Sequence, residues 1–460
     1  MSRRVYIETV GCQMNVLDSE LIAAELSRRG HELVETARKA DTILFNTCSV
    51  RQHAEDKIYS ALGRLKHIKR QRPGTIIGVL GCMAQKDQKL ILRRAPHVDL
   101  VVGPGRLGQL GELLDRVAAG RRPWIEVSRE RSSGDRLAVL ASFRPYDPVR
   151  HPAARPAPHQ AMVRIMSGCD RFCSYCIVPA VRGPEQSRPA DRIKAEVRQL
   201  ADHGCLEVTL LGQTVNSYED TSGGRRIRLG DLLGRLHDIA GLRRLKFVTN
   251  HPRYMTAELI AAVAGLPKVS PYFHVPAQSG SNRILRRMNR GYTVERYREM
   301  LAEIGHALGD AAVTSDFIVG FPGETEEDYR QTVGLVRHGR FKNSFIFKYS
   351  PRAGTKAAEL YEDDVPYKVK QQRNNKLLAI QSEISLEQNE PLIGRQVEIL
   401  VEGPSKAAQK RPGHGRLVQL VGRTTCDRIV VFQGSRELTG RILSVQIEKV
   451  DAFTLFGRLP

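Results

Sequence analysis

Between residues 161 and 349 the sequence repeats one pattern, a short apolar run followed by a helical stretch. The apolar runs predict strands at Ala161–Ser167, Val208–Leu211, Leu245–Thr249, Tyr272–Val275, Ala312–Val319 and Ser344–Tyr349. The intervening stretches predict helices near Asp191–His203, Leu229–Ile239, Thr256–Ala264, Thr293–Leu308 and Thr325–His338. Strands that alternate with such helices form parallel βαβ units. The pattern therefore predicts a partial (β/α)6 barrel, with its chemistry at the carboxyl ends of the strands.

Three cysteines follow the first of these strands directly. Cys169, Cys173 and Cys176 have the spacing C-x3-C-x2-C, and the next cysteine along the chain is Cys205. A structural zinc site takes four ligands, and an iron–sulfur cluster is normally held by four thiolates. Three thiolates alone suit a cluster that keeps one iron open for a small molecule. A degraded zinc knuckle is the alternative.

Three further cysteines, Cys12, Cys48 and Cys82, each follow a short apolar, β-branched run near the N-terminus. Such runs, separated by helical patterns, predict buried parallel strands of a doubly wound α/β domain. Because the carboxyl ends of parallel strands share one edge of a sheet, we expect these cysteines to converge as a second three-thiolate site. The alternative is that each is a buried cysteine acting as a small hydrophobe, which is how we interpret Cys205 and Cys426.

Polar residues follow other strands of the predicted barrel. Gln213 and Asn216 come after the second strand, and Gln278 and Ser279 come after the fourth. We expect these four to contact a small-molecule cofactor, although each could also be an ordinary polar loop residue. The turn Gly320–Glu324, with two glycines, would let backbone approach a nucleoside closely.

The chain divides into a first domain at 1–120, a linker at 121–157, the barrel at 158–390 and a last domain at 391–460. The linker is rich in proline and has weak apolar periodicity. The last domain is predicted to be a small antiparallel β-barrel that binds RNA or only caps the barrel. Its predicted strands are Gln396–Val401, Leu417–Val421, Ile429–Phe432, Ile442–Val450 and Thr454–Leu459.

The composition favours a polyanionic partner. The chain has 71 basic and 50 acidic residues, a formal net charge of +21 that is spread along its length. A surplus of this kind suits RNA, although solubility alone would also explain it. The sequence shows no apolar run of membrane-spanning length and no signal-peptide core, so we expect a cytoplasmic protein without a membrane partner.

These motifs together resemble the radical S-adenosylmethionine (SAM) methylthiotransferases over nearly the whole chain. The resemblance rests on the segments Gly11–Asn15, Asn46–Arg51, Gly81–Gln85, Leu211–Tyr218, Gln278–Asn282 and Val401–Lys406. The family has an N-terminal three-cysteine domain, a radical-SAM barrel and a C-terminal TRAM domain. The chain departs from it at Ala180-Val181, where Tyr-Thr is more usual, and in a longer loop at Ala407–Gly415.

The resemblance implies two 4Fe–4S clusters and SAM as cofactors. Cys169, Cys173 and Cys176 would hold the cluster that cleaves SAM, and Cys12, Cys48 and Cys82 would hold an auxiliary cluster that carries the donated sulfur. A second SAM would supply the methyl group. The implied partners are the anticodon stem-loop of tRNA and an external electron donor such as flavodoxin or ferredoxin. The protein itself is expected to be a monomer.

Within the family, the chain most resembles the branch that modifies carbon 2 of isopentenylated adenosine at position 37 of tRNA. The sequence Gln13–Asn15 and the basic segment Arg51–Arg72 favour this branch. Sister branches act on threonylcarbamoyl-adenosine in tRNA or on an aspartate of a ribosomal protein. From a different class, a metal-stabilised RNA-binding protein without catalysis remains an alternative.

Overall fold

The computed structural model describes residues 2–49, 52–130, 134–143, 155, 157–410 and 417–460. Val50 and Arg51, much of the predicted linker and part of the Ala407–Gly415 loop lie outside these ranges. Among the described helices, none is both long and apolar enough to cross a membrane.

The first domain is a parallel sheet with helices on both faces. Its strands are β1 (Arg4–Val10), β2 (Glu32–Leu33), β3 (Thr42–Thr47), β4 (Ile76–Gly81), β5 (Leu100–Val102) and β6 (Trp124–Glu126). They run in the order β2-β1-β3-β4-β5-β6, which confirms the doubly wound α/β prediction. The helices are α1 (Gln13–Arg28), α2 (Gln52–Gln71), α3 (Cys82–Asp87), α4 (Lys89–Arg94) and α5 (Leu110–Ala118), followed by α6 (Arg136–Ser142).

The register of this sheet aligns the ends of three strands. Val10 of β1 lies opposite Thr47 of β3, and Thr47 lies opposite Gly81 of β4. Strands β3 and β4 are buried along their whole length, as expected for strands covered by helices on both faces. The chain segments that follow the three strands therefore leave the sheet at one edge.

The sheet extends further along the sequence than the pattern indicates. Strand β6 pairs in parallel with β5 inside the stretch assigned to the linker, and Trp124 packs on the apolar core of the sheet. The guanidinium of Arg116 covers the Trp124 ring at 5.4 Å from its centroid. A strand of three residues shows too little alternation to be recognised from the sequence.

The central domain is the predicted partial barrel. Its strands and short β-segments are β7 (Gln160–Arg164), β8 (Met166–Ser167), β9 (Gln186–Ser187), β10 (Glu207–Leu211), β11 (Glu219–Asp220), β12 (Ile227–Arg228), β13 (Arg244–Phe247), β14 (Tyr272–His274), β15 (Ala312–Val319) and β16 (Asn343–Lys348). Two parallel sheets, β7-β10-β13 and β14-β15-β16, form its wall. They join where the Asn250 amide donates to the His274 carbonyl at 2.9 Å.

Helices cover the outside of this wall, and their starts follow from the sequence. The helices of this domain are α7 (Val178–Arg182), α8 (Ala190–Asp202), α9 (Leu229–His237), α10 (Ala257–Gly265), α11 (Asn282–Arg287), α12 (Val294–Ala307), α13 (Glu326–Gly339), α14 (Lys356–Leu360) and α15 (Tyr367–Asn389). Helix α7 is an exception, since it lies at the ends of the strands and not outside the wall. Thr256, Thr293 and Thr325 accept hydrogen bonds from backbone amides in the first turns of α10, α12 and α13. They are N-caps, so each predicted helix began one residue early.

The last domain is a closed barrel of β17 (Gln396–Pro404), β18 (Leu417–Thr424), β19 (Ile429–Ser435), β20 (Ile442–Val450) and β21 (Thr454–Arg458), with α16 (Lys406–Lys410) after its first strand. Its order is β17-β18-β19-β21-β20. The predicted strands are confirmed, but the barrel is not wholly antiparallel. Strand β21 pairs antiparallel with β20 and parallel with β19, because the chain crosses from β19 to β20, which pairs with β17, before it turns back into β21.

Ion pairs join the last domain to the barrel. Lys246 of β13 contacts Glu207 at 2.9 Å and Asp427 of the last domain at 3.2 Å. Arg244, on the same strand, contacts Glu398 at 2.9 Å. These charges lie at the end of the barrel away from the strand C-termini.

Candidate functional site

One cavity lies between the edge of the first sheet and the C-terminal ends of the barrel strands. It has a volume of about 320 Å³. Six cysteines line it, namely Cys12, Cys48, Cys82, Cys169, Cys173 and Cys176. The structure therefore brings both cysteine triads, more than 80 residues apart in sequence, to a single enclosed space.

The first triad is positioned by the aligned strand ends. Asn15 donates to the Asn46 side chain at 3.1 Å, and the Cys12 thiol donates to Asn15 Oδ1 at 3.2 Å. Gly81, just before Cys82, has a φ of +89°, and a Cβ there would lie 2.5 Å from Asn46 Oδ1. A side chain at this glycine would therefore displace the asparagine that holds the strand ends together.

The second triad lies on a loop braced by α11. The Ser174 amide donates to the Met288 carbonyl at 3.0 Å, and the Asn289 side chain donates to the Phe172 carbonyl at 2.9 Å. Gly168, which precedes Cys169, has a φ of +78°, and a Cβ there would lie 1.9 Å from the Pro184 carbonyl oxygen. The loop that presents the three thiols is thus fixed from both sides.

Each triad has a buried arginine for which the sequence gives no local signal. Arg182 Nε donates to Cys82 Sγ at 3.3 Å, and Arg290 donates to Cys173 Sγ at 3.3 Å. Both arginines lie more than 90 residues from the sulfur they contact, so no local pattern joins them. A buried cation beside a thiolate favours its charged form, and thus its use as a metal ligand.

Arg182 also belongs to a buried ion cluster, which we call the Asp18 clamp. Asp18 of α1 contacts Arg164 at 3.0 Å and Arg182 at 2.8 Å, and at most 5% of any of these side chains is exposed. Burial alone would lower the pKa of Arg182, but Asp18, Cys82 and Cys12 outweigh it and raise that pKa. The clamp joins the first domain to the barrel beside the cavity.

We expect Asp18→Leu to lower the free energy of unfolding by about 3–5 kcal/mol, because it leaves two buried arginines without their carboxylate. Denaturant titration followed by circular dichroism measures this loss. The control is Asp41→Asn, which breaks the exposed pair between Asp41 and Arg4 and should change the free energy by less than about 1 kcal/mol. Equal losses in the two variants would contradict the role given to the clamp.

The thiols of the cavity differ in their acidity. A hydrogen bond with the Cys48 side chain lowers the pKa of Cys12 to about 6 against the effect of desolvation, and Arg182 adds to this lowering. Burial raises the pKa of Cys82 and Cys169, and it raises that of Cys176 to about 12. The buried thiols whose pKa is raised become thiolates when a metal centre supplies the compensating positive charge.

Of the predicted cofactor contacts, Gln213 and Gln278 line the cavity. Gln213 Oε1 and Asn250 Oδ1 are buried and have no hydrogen-bond partner within the described ranges. Gln278 and Thr249 adopt φ values of +68° and +70°. Left-handed backbone at such residues is costly and concentrates at functional sites. The cavity thus combines two side-chain oxygens that lack a hydrogen-bond partner among the described residues with two residues in a strained backbone conformation. Both features are expected of a site that binds a polar ligand.

Asn216 and Ser279, by contrast, do not line this cavity. The Asn216 side chain donates to the His251 carbonyl at 2.9 Å and accepts from the His251 amide at 2.8 Å. Ser279 is buried and accepts from the Ser281 amide at 3.2 Å. Both residues use their polar atoms to hold loops that support the site.

The turn Gly320–Glu324 also lies away from the cavity wall. Glu324 accepts from the Gly320 amide at 2.9 Å and pairs with Arg373 of α15 at 2.8 Å. A Cβ at Gly320 would lie 2.3 Å from the Lys370 side chain. The open glycine conformation therefore makes room for α15, a structural role that the sequence pattern does not indicate.

The arrangement of acidic, histidine and cysteine side chains distinguishes a site for one metal ion from a cluster. In the part of the chain that the structure describes, no three His, Cys, Asp or Glu side chains gather as ligands of one ion. In a four-iron cluster each thiolate binds a different iron, so the thiolates are spread apart. Two cysteine triads that line one cavity, with a buried arginine at each triad, fit clusters.

Three known protein families match this chain, and each match covers one of its three domains. Residues 4–103 match an uncharacterized protein family, UPF0004. Residues 163–336 match the radical SAM superfamily, and residues 390–459 match the TRAM domain. The three matches correspond to the parallel sheet, the partial barrel and the closed barrel.

Solved structures share the fold at low sequence identity. The radical SAM methyltransferase TsrM from Kitasatospora setae, with cobalamin and a 4Fe–4S cluster bound, aligns with a TM-score of 0.53 at 16% identity. The alignment covers 78% of this chain and 77% of that one. This likeness concerns the fold alone.

Full-length relatives are much more similar. A tRNA-2-methylthio-N(6)-dimethylallyladenosine synthase from Rhodopirellula baltica is 55% identical over 100% of this chain and 96% of its own length. Synthases of the same name from Moorella thermoacetica and an Acidovorax species are 42% and 43% identical, over at least 97% of either chain. The chain therefore belongs to the tRNA-2-methylthio-N(6)-dimethylallyladenosine synthase family.

Proposed function

We propose that this chain methylthiolates carbon 2 of isopentenylated adenosine at position 37 of tRNA, next to the anticodon. The product is 2-methylthio-isopentenyladenosine. The observation that carries this proposal is that two cysteine triads line one cavity. Cleavage of SAM and donation of sulfur can then act on the same base without its release.

Each triad would hold one 4Fe–4S cluster. Cys169, Cys173 and Cys176 would hold the cluster that binds SAM, and Cys12, Cys48 and Cys82 would hold the auxiliary one. When bound, the two clusters supply reductive cleavage of SAM and the sulfur to be donated. The arginines beside the triads offset the negative charge of the thiolates in a buried setting.

Other residues of the cavity orient the ligands. Gln213 and Gln278 are the proposed SAM contacts, since both line the wall and Gln213 Oε1 lacks a partner among the described residues. Asn216 and Ser279 are positioning residues that act through the loops they hold. Burial lowers the pKa of His251 to about 2, so its ring lines the cavity without a charge.

The partners follow from charge and from chemistry. The net charge of +21 and the closed terminal barrel support binding to the anticodon stem-loop, where a loop base can turn out into a pocket. A one-electron carrier such as flavodoxin or ferredoxin would reduce the SAM-binding centre. We further propose that the chain works in the cytoplasm as a monomer, which light scattering of the purified protein would test.

Anaerobic reconstitution tests the enzyme against the metal-stabilised binding protein. We expect about eight irons per chain, four for each triad, and release of 5′-deoxyadenosine when dithionite and SAM are added. Zinc in place of iron, with no cleavage of SAM, would contradict the proposal.

Mass spectrometry of tRNA nucleosides from a deletion strain tests the substrate. We expect 2-methylthio-isopentenyladenosine to disappear and isopentenyladenosine to accumulate. Unchanged levels would refute this substrate. Loss of a methylthio group from threonylcarbamoyl-adenosine or from a ribosomal aspartate would assign the chain to a sister branch.

A further inference from the structure

One large aromatic residue is exposed in the loop that carries the second triad. Phe172 lies between Cys169 and Cys173 in the sequence, and it is 51% exposed. Its φ is +49°, and its carbonyl accepts a hydrogen bond from the Asn289 side chain at 2.9 Å. Left-handed backbone is costly at a bulky residue and concentrates at functional sites. The loop therefore holds an aromatic ring at the surface of the protein.

This ring belongs to the outer side of the loop. Arg171 and Cys173, its two neighbours along the chain, line the cysteine cavity, but Phe172 does not. Cys173 is a proposed ligand of the SAM-binding cluster, so the exposed surface comes within one residue of that centre. Electron transfer slows steeply with distance, and an external carrier must therefore reach a surface of this kind.

Two arginines lie at the end of α11, beside the loop. The Asn289 amide donates to the Arg286 carbonyl at 3.0 Å, and the Arg287 carbonyl accepts from the Ser174 hydroxyl at 2.8 Å. Arg286 is exposed and Arg287 is half-buried. Because Asn289 also binds the Phe172 carbonyl, the end of α11 is joined directly to the loop.

Two more arginines lie near the same loop. The Arg171 guanidinium covers the Tyr254 ring at 4.7 Å from its centroid. Arg253, the residue before Tyr254, is exposed, and its Nη1 lies 3.9 Å from the place of a Cβ at Gly291. Gly291 is two residues after Asn289, which contacts the loop. We call Phe172 and these four arginines the Phe172 surface.

The Phe172 surface carries a net positive charge. Two carboxylates adjoin the loop, those of Asp170 and Glu185, and Glu185 lies 3.7 Å from Arg171. Arg253 and Arg286 form no ion pair within the described ranges. The neighbouring helix α14 adds one lysine and one glutamate, which pair with each other at 2.9 Å. Four arginines thus outnumber the two carboxylates.

This combination indicates the kind of partner. Aromatic residues and arginine are both enriched at protein interfaces, and cations around an apolar contact steer an acidic partner by charge complementarity. Interfaces between redox partners are small, below about 1,200 Å². One exposed ring and four cations can therefore make up a large part of such a contact.

We propose that the Phe172 surface is where an acidic one-electron carrier protein docks on this chain. The inference rests on the proposed function, since the carrier supplies the electron for cleavage of SAM. The reduced carrier loses one electron and is oxidised, and the SAM-binding centre gains that electron. Phe172 makes the apolar contact, and Arg253 and Arg286 pair with carboxylates of the carrier.

The test measures release of 5′-deoxyadenosine by the reconstituted full-length protein at increasing concentrations of an acidic flavodoxin, which is kept reduced by its reductase and NADPH. Phe172→Ala should raise the KM for flavodoxin about tenfold, as truncation of a central contact does. A double variant, Arg253→Glu with Arg286→Glu, should raise this KM by at least about tenfold and make it less sensitive to salt.

Dithionite is the first control, because a small reductant needs no docking surface. With dithionite, all variants should match the wild type in iron content and in release of 5′-deoxyadenosine. Phe453 is 52% exposed in the last domain, and Arg198 is exposed on α8. Phe453→Ala and Arg198→Glu should therefore leave the KM for flavodoxin unchanged.

Three outcomes would overturn the proposal. The first is an unchanged KM in the variants of the Phe172 surface, and the second is an equal rise in Phe453→Ala or Arg198→Glu. The third is a loss of cleavage that is as large with dithionite as with flavodoxin, which would assign these residues to the structure of the loop.

RNA is the rival occupant, because arginines also bind phosphate. Fluorescence anisotropy with the anticodon stem-loop separates the two, and we expect the double variant to keep the wild-type Kd for this RNA. A weaker Kd for the RNA, with an unchanged KM for flavodoxin, would assign the surface to RNA and overturn the proposal.

The inference and the proposed function can fail separately. A wild type that methylthiolates tRNA, but whose KM for flavodoxin is indifferent to the Phe172 surface, would refute the surface and keep the function. A chain whose cleavage of SAM depends on this surface, but whose deletion leaves the tRNA nucleosides unchanged, would refute the function and keep the surface.

Discussion

Replacing Cys169 with Ala should abolish the reductive cleavage of SAM and every step that depends on it. The loop carries three cysteines for a cluster, and each thiolate would hold a different iron. The Cys169 thiol is buried, and burial raises its pKa; its loss leaves only two thiols, those of Cys173 and Cys176, between residues 168 and 176. Iron content should fall from about eight to about four per chain, with no 5′-deoxyadenosine in the chromatogram.

Cys205→Ala is the matched control for this prediction. Cys205 is also a buried thiol, but it donates to the Glu207 carbonyl at 3.2 Å and lies in the apolar core behind the barrel wall. We expect this variant to keep both its iron and its cleavage of SAM. Cleavage at the wild-type rate in Cys169→Ala would show that the loop is not the site of SAM cleavage.

Replacing Cys12 with Ala should separate the two halves of the reaction. The variant should still cleave SAM, because Cys169, Cys173 and Cys176 are intact, but it should form no methylthiolated base. The Cys12 thiol has a pKa lowered to about 6, chiefly by the Cys48 side chain, and its loss leaves the first triad with two thiols. Quantifying 5′-deoxyadenosine and modified nucleosides in one reaction measures both halves.

For this second prediction, Cys426→Ala provides the control. Cys426 lies in the last domain and donates to the Asp310 carbonyl at 3.4 Å, away from both triads. Its replacement should change neither product. Methylthiolation that persists in Cys12→Ala would mean that the first triad does not supply the sulfur.

Much of the fold could be predicted because apolar periodicity reports which face of a strand or helix is buried. The (β/α)6 pattern, the parallel N-terminal sheet and the strands of the terminal barrel are confirmed. The prediction that Cys12, Cys48 and Cys82 converge needed only the rule that parallel strands end at one edge. Their roles as cluster ligands remain a proposal.

The rest depends on contacts between distant segments. Arg182 and Arg290 donate to cysteines that are 100 and 117 residues away, and a pattern read along the chain cannot show such pairs. Asn216 follows a barrel strand as a cofactor contact would, but the loop turns its amide onto His251. The parallel pairing of β19 and β21 depends on the path of the chain between strands, which composition does not encode.

The Asp18 clamp limits how such a chain can be divided or recombined. One carboxylate on the first domain serves two arginines on the barrel, and one of those arginines also contacts a cysteine of the first triad. A first domain transplanted from a relative without this aspartate would leave two buried arginines without their carboxylate. In a chimaeric protein, the first domain and the barrel would therefore have to be exchanged together.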